Sequence, residues 1–190
     1  MRRTAQTLIL GMILAGMAAT PLMPQATQQY TIGNVNIIGS KQLSTNIIES
    51  ILGLVPGGTY DRVLLRYGFA NLNRIYASVG YVNLTATPFE DVDEQNKVVN
   101  LTINVEEDRQ FFVRRITFTG NTTTSDDVIQ RELLVKEGQV FNATGWELSL
   151  SRINQLGYFE EIKDGDVSIK AFGTEPLLDI NVTVKEKARK

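Results

Sequence analysis

The chain has 190 residues, enough for one domain or two small ones, and its 43% apolar and 21% charged content suits a folded body. A net charge of −2 gives no electrostatic footprint for a nucleic-acid partner. The absence of cysteine excludes disulfides, thiolate zinc sites and cysteine nucleophiles, and the absence of histidine removes the commonest general base and metal ligand.

The N-terminus differs from the rest. Met1-Arg2-Arg3 precedes an apolar run from Leu8 to Ala19, and small residues follow up to Thr20-Pro21. This layout predicts a secretory signal peptide over residues 1–26, cleaved between Ala18 and Ala26. An uncleaved anchor helix is the alternative, but the run is shorter than the roughly 20 residues a membrane span requires. An exported chain without cysteine fits a bacterial periplasm.

Beyond residue 29 the sequence repeats. Apolar positions Tyr30, Ile32, Val35 and Ile37 match Phe111, Val113, Ile116 and Phe118, with the same break in alternation between the second and third. Gly39 then matches Gly120-Asn121, Gly57 and Tyr60 match Gly138 and Phe141, and Gly80-Tyr81 matches Gly157-Tyr158. The final apolar series Val99, Leu101, Ile103, Val105 matches Leu178, Ile180, Val182, Val184. Two copies of one unit of about 80 residues follow from this periodicity.

Each copy reads β-α-α-β-β. A first strand ends at a glycine turn, and a short helix begins at Ser44 or Thr45 in the first copy and at Thr124 or Ser125 in the second. Both short helices are expected to stop at glycine turns, Pro56-Gly57-Gly58 and Gly138. The second helices start after Asp61 and Asn142, both good N-caps. Leu64, Leu65, Leu72, Ile75 and Val79 form the apolar stripe in the first copy, and Trp146, Leu150 and Ile153 in the second, with Leu156 beside them. Gly80 and Gly157 stand at expected left-handed C-terminal caps. The last two strands form a hairpin whose final strand alternates apolar with Asn, Thr and Asp, one face wet and the other under the helices. The predicted architecture is α+β: two tandem domains, 30–108 and 111–187, each a three-stranded mixed sheet with two helices on one face. They meet at Glu106-Glu107-Asp108-Arg109-Gln110, a connection too short and too poor in Gly and Pro to leave much freedom.

Catalytic motifs are missing. There is no G-x-S-x-G, P-loop or G-x-G-x-x-G, and no enzyme activity is expected. Glu90-Asp91-Val92-Asp93-Glu94 lacks the glycine and distal glutamate of an EF-hand loop and reads as a polar hairpin loop. Asp164-Gly165-Asp166 reads as a turn, and Glu160-Glu161 point to opposite faces of an extended chain. No metal or cofactor site is expected. The first copy is acidic, with nine acidic to five basic residues, whereas the second with its tail balances twelve of each.

The stretch from Arg115 through Thr122, then Ile129-Gln130-Arg131-Glu132-Leu133, Gly138, Phe141 and Leu156-Gly157-Tyr158-Phe159-Glu160, resembles the POTRA domain of BamA-like outer-membrane β-barrel assembly factors. The first copy resembles one as well, and the pair is similar to the last two POTRA domains before the barrel in that family. Val184-Lys185-Glu186-Lys187 resembles the exit toward the barrel, which this chain does not contain, so it stands either alone or at the front of a larger product. The resemblance implies a periplasmic docking module for unfolded outer-membrane proteins and barrel-assembly accessory proteins, with the membrane surface a further candidate, and no nucleic-acid or small-molecule partner. It also implies that the second strand of each sheet is an edge on which an extended client segment can pair, by β-augmentation. The expected edges are residues 81–87 (Tyr81, Val82, Asn83, Leu84, Thr85) and 161–172 (Ile162, Val167, Ile169). Gly39, Gly57, Tyr60, Gly80, Gly120, Asn121, Gly138, Phe141, Gly157, Tyr158 and Phe159 are expected to be structural. A receiving module of a two-partner-type secretion transporter and an anchored structural scaffold are the competing readings.

Overall fold

A computed structural model describes residues 29–188. The expected signal peptide lies outside the described residues. The first unit contains β1 (Thr31–Ile38), α1 (Thr45–Leu52), α2 (Arg62–Ala77), β2 (Thr85–Asp93) and β3 (Val98–Glu106). The second contains β4 (Phe112–Thr119), α3 (Asp126–Gln130), α4 (Ala143–Gln155), β5 (Val167–Ala171) and β6 (Leu177–Thr183). Each sheet is mixed: the last strand sits in the centre, parallel to the first and antiparallel to the second, in the orders β1-β3-β2 and β4-β6-β5. The α+β architecture is the expected one. The break in alternation is a register shift in both copies, between Ile32 and Val35 and between Val113 and Arg115.

The central strands carry the cores. Val99, Leu101, Ile103 and Val105 on β3, and Leu178, Ile180 and Val182 on β6, are buried under the helices, while the Asn, Thr and Asp between them face water. Asp61 caps α2 by accepting from the amides of Val63 (2.7 Å) and Leu64 (3.2 Å), and Asn142 caps α4 through the Gly145 amide (2.7 Å).

Several local expectations are corrected. The first helix stops at Gly53, in the left-handed region, four residues before Gly57, and α3 is a single turn ending at Arg131. The buried stripe of α2 is Leu65, Gly68, Leu72 and Tyr76, and Leu64 and Val79 are exposed. Gly68 belongs there because a Cβ would run into the Leu52 backbone where α1 crosses α2. Glu90 to Asp93 are strand, not loop. The turn begins only where the Asp93 carboxylate accepts from the amides of Gln95 and Asn96, both at 3.0 Å.

Gly57 and Gly138 serve a different purpose. The loop after α1 runs back along β1: Gly57 N–H donates to Ile32 O (2.7 Å), Ile32 N–H to Gly58 O (2.8 Å), and Tyr60 N–H to Tyr30 O (2.8 Å). The second copy repeats it, with Gly138 to Val113 O (2.7 Å), Val113 to Gln139 O (2.8 Å) and Phe141 to Phe111 O (3.0 Å). The N-terminal halves of β1 and β4 are thereby covered on their outer side.

A matched carboxylate closes each domain. Glu107, one residue beyond β3 and only 7% exposed, accepts from the amides of Lys41 (2.8 Å) and Gln42 (2.9 Å) and from the Tyr76 hydroxyl (2.8 Å). Glu186, two residues after Val184 as Glu107 is after Val105, accepts from the amides of Thr123 (3.0 Å) and Thr124 (2.7 Å) and from the hydroxyls of Thr122 and Thr123. In both, the end of the central strand is tied to the turn that leaves the first strand. The glycines opening those turns, Gly39 and Gly120, have φ of +92° and +93°, and a Cβ there would strike the carbonyls of Val105 and Val184. Burial pushes both carboxyls up, but the donated hydrogen bonds outweigh it: Glu107 is held below its ordinary range, and Glu186 falls from 4.5 to about 2.

The two domains meet through more than the linker. Phe111 N–H donates to Gly80 O (2.8 Å), and the Gln110 amide side chain donates to Val79 O (2.9 Å). Ser78 Oγ lies 2.7 Å from Thr144 Oγ1 at the start of α4, and Val82 packs against the second domain's core. Gly80 (φ +90°) has no room for a Cβ, which would meet Val140 and Gln110. It lies past the end of α2 as a joint residue, whereas Gly157 directly follows the C-cap Leu156 of α4 as expected.

Glu107→Ala leaves two amides and a hydroxyl without their acceptor, a cost of about 2–3 kcal/mol, and calorimetry should show the first domain melting about 10 °C lower. Because the Glu186 carboxyl titrates lower folded than unfolded, its contribution is complete above pH about 4.5 and is lost as pH falls toward about 2. Glu186→Gln should flatten stability against pH in that window, and an unchanged slope would remove the carboxylate tie. Gly80→Val should change the angle between domains, read by residual dipolar couplings, while each domain keeps its own amide pattern.

Candidate functional site: the open sheet edges

With the N-terminal halves of β1 and β4 covered, β2 and β5 are the edges left without a covering loop. Of the residues 81–87 expected on the first edge, Thr85, Ala86 and Thr87 lie on β2 and the first four do not. Tyr81 and Leu84 pack against the first core, Val82 packs against the second, and the Asn83 side chain donates to Asp108 Oδ2 at 2.9 Å. Tyr81 also stacks edge-on against Tyr76, ring centroids 6.1 Å apart. These four residues are the joint between domains, and the strand starts after them because their side chains are committed there. On the second edge Val167 and Ile169 lie on β5, and Ile162 is buried before it, its amide donating to Asn154 Oδ1 (3.0 Å). Asp164 to Asp166 form the short 3-10 turn leading into β5.

Which backbone groups face outward can be worked out from one bond. Phe172 donates its amide to Leu177 O at 2.8 Å, so Lys170 and Ser168, on the same side of the pleat, also face β6. The amides and carbonyls of Val167, Ile169 and Ala171 therefore point away from the sheet, and their side chains share the helix side with Ile180, Val182 and Leu178. On β2 the register pairs Val92 with Val99 and Pro88 with Ile103. Proline has no N–H, and within a sheet it sits where that group would face solvent. Ala86, Pro88, Glu90 and Val92 are then the outward set, the same geometry as in β5.

The side chains along the two edges differ. Beside β2 stand Glu90, Asp91 and Asp93, with Phe89 61% exposed on the wet face. The Arg62 guanidinium pairs with Glu90 and holds its carboxyl below the usual range despite partial burial, and the Tyr60 hydroxyl also donates to it. Burial and that carboxylate push the Tyr60 phenol up. A shallow cleft of about 470 Å³, lined by Tyr30, Tyr60, Arg62, Val92 and Glu94, opens next to the last residues of β2. Beside β5 the wet face carries Lys170, and Arg114 stacks 3.9 Å above the Phe172 ring while donating to Asp179 at 2.6 Å. Arg114 keeps the Asp179 carboxyl below its ordinary range. Ile169 and Phe172 are 39% and 46% exposed. Among the described residues there is no cluster of acidic side chains arranged to hold a metal, and no helix long and apolar enough to cross a membrane. The edges offer main-chain hydrogen bonds and alternating side chains, which is the chemistry of polypeptide binding.

The residues whose places were missed in the sequence are Glu107 and Glu186, which tie the strand ends to the turns, and Pro88, which lies on the outward side of β2. The glutamates sit at the same offset after Val105 and Val184, a match the apolar comparison passes over because it counts only hydrophobic positions.

Comparison with known proteins agrees with this architecture. The family model described as "POTRA: Surface antigen variable number repeat" matches residues 30–108 and 111–187. The outer membrane protein assembly factor BamA of Buchnera aphidicola is 28% identical over 136 residues, covering 72% of this chain and 22% of that protein. BamA of Neisseria meningitidis is 26% identical over 163 residues, covering 84% and 20%. The chain thus spans about a fifth of the length of these curated relatives. Among solved structures, POTRA3-5 of Haemophilus influenzae BamA aligns with a TM-score of 0.69 at 26% identity, covering 83% of this chain and 61% of that one. BamA of Haemophilus ducreyi lacking POTRA domains 1-3 aligns at 0.71 and 25% identity, covering 83% and 30%. Two family matches spanning nearly all of the described residues, on the fold just derived, place this chain in the POTRA family as a tandem pair of its domains.

Proposed function

We propose that this POTRA pair is a periplasmic protein-interaction arm in outer-membrane β-barrel assembly, taking up extended segments of client or accessory proteins by strand addition. The observation that supports this reading is the asymmetry of each sheet. One edge strand is covered by its own loop, and the other leaves its main-chain donors and acceptors open. An uncovered edge is a hazard that folded proteins normally blunt. Retaining one in each of two domains makes sense where unfolded chains are the ligand, because main-chain pairing recognises extension and demands little of sequence. The joint built from Gly80, Val82 and Gln110 would hold the two edges on one arm. The BamA relatives are named as outer membrane protein assembly factors, which fits a ligand of this kind.

Site-specific photo-crosslinking in cells tests the reading. A photoreactive residue at Lys170, beside the open edge of β5, should capture newly exported outer-membrane barrel proteins. One at Leu148, exposed on α4, should not. Equal capture from the helix position would point to docking on the helix layer and count against strand addition.

A further inference from the structure

We infer that the two edges are not equivalent acceptors: β5 takes an extended, acidic-and-apolar alternating segment of a partner chain, and β2 is blocked as a continuous acceptor by Pro88. The inference rests on the strand-addition reading and deepens it by assigning the acceptor edge and the side-chain chemistry of the segment.

Three observations carry it. First, the outward set of β2 is Ala86, Pro88, Glu90 and Val92, and Pro88 has no amide to give. An added strand would find donors at Ala86 and Glu90, about 13 Å apart at ~3.3 Å per residue, with a ring in the gap. On β5 the Val167 amide is taken up by Asp164 O in the turn before the strand, and the outward donors left to an added strand are the adjacent pair Ile169 and Ala171, with no ring between them. Pro88 pairs with Ile103 and Val167 with Val182, equivalent positions of the central strands, so neither copy offers a free amide there; on β2 that position lies inside the strand, and on β5 it is the first residue.

Second, the charges oppose each other. Glu90, Asp91 and Asp93 crowd the outer half of β2. On β5 the central wet-face residue is Lys170, which forms no ion pair among the described residues. The neighbouring Asp179 is already engaged by Arg114, so a carboxylate on the added strand would find Lys170 available. Asp166 and Glu175 stand only at the ends of the strand.

Third, the helix side of β5 is unfinished. Ile169 is 39% exposed although its cross-strand partner Ile180 is fully buried, and Ala171 is exposed beside Leu178. Apolar side chains at every second residue of an added strand would cover Ile169 and Ala171. On β2 the equivalent of Ile169 is Glu90, held by Arg62 and Tyr60, which leaves a charged seat instead.

The test uses two short synthetic peptides, one alternating valine with glutamate and one alternating valine with lysine, titrated into isotope-labelled protein. The glutamate peptide should shift the amides of Ile169 and Ala171 most and leave Ala86, Glu90 and Val92 still. Ile169→Pro removes one outward donor at a position an edge tolerates and should weaken binding tenfold or more. Lys170→Glu should weaken the glutamate peptide several-fold and turn the preference toward the lysine peptide, a readout that survives even if the proline variant unfolds. Shifts confined to β2 would overturn the assignment to β5 while leaving strand addition standing. An unchanged preference in Lys170→Glu would overturn the acidic component. Shifts at neither edge with either peptide would overturn strand addition itself.

Discussion

The parallel pairing of the first strand with the last decides everything else in each domain. Because β3 takes the centre between β1 and β2, the hairpin partner β2 is forced to the rim, and the same holds for β6 and β5. The centre strand needs apolar residues only on the helix side, and β3 and β6 supply them in strict alternation. Parallel pairing also requires the chain to cross over between the two strands, and both helices are spent on that crossover. The helices cover one face, and the loop after the first of them reaches back to cover the first strand's outer side. No backbone in that path returns to the second strand, which in the first domain is reached by the Tyr60 and Arg62 side chains at Glu90. Its openness is a consequence of topology before it is a matter of function.

The carboxylate ties show how so small a domain fixes that topology. The turn after β1 leaves amides at Lys41 and Gln42 that no helix or strand satisfies, and Glu107 supplies the acceptor from the far end of β3. Glu186 does the same for Thr123 and Thr124. Each carboxylate gathers several donors of the turn at once through charge-assisted hydrogen bonds, so the contact specifies both the turn and where the central strand ends. The close approach of Gly39 and Gly120 to the carbonyls of Val105 and Val184 belongs to the same device, since a side chain there would push the two strand ends apart.

Much of this was legible in the sequence because it depends on period and repetition. The alternation of Val99 to Val105, the caps Asp61 and Asn142, and the recurrence of Gly57 with Tyr60 and Gly138 with Phe141 all survive in the structure, the last pairs as edge cover instead of helix stops. What was not legible depends on tertiary partners. Tyr81 to Leu84 have strand-like composition, but Tyr76, Asp108 and the second core claim their side chains, so β2 starts at Thr85. Glu107 sits in a run of charged residues that reads as a linker, and only the folded turn above it gives that carboxylate a reason to be buried. Leu64 looks like core by spacing, yet the close crossing at Gly68 turns α2 so that Leu65 takes the inner position.

The duplication separates what the fold requires from what it leaves free. Where the two copies agree, at the bulge in the first strand, the covering loop, the glycine turn and the glutamate tie, the agreement has a structural cause in hydrogen bonds already counted. Where they differ, the differences gather on the second strand: Pro88 against Val167, Glu90 against Ile169, Asp91 against Lys170. A core position that changed in this way would cost stability, whereas an edge that faces only solvent or a partner is under no such restraint. The wet rim is thus the part of each domain where chemistry can change without the fold noticing. Two copies with one fold and two different rims are better explained by two different tasks on one arm than by one binding site duplicated for avidity.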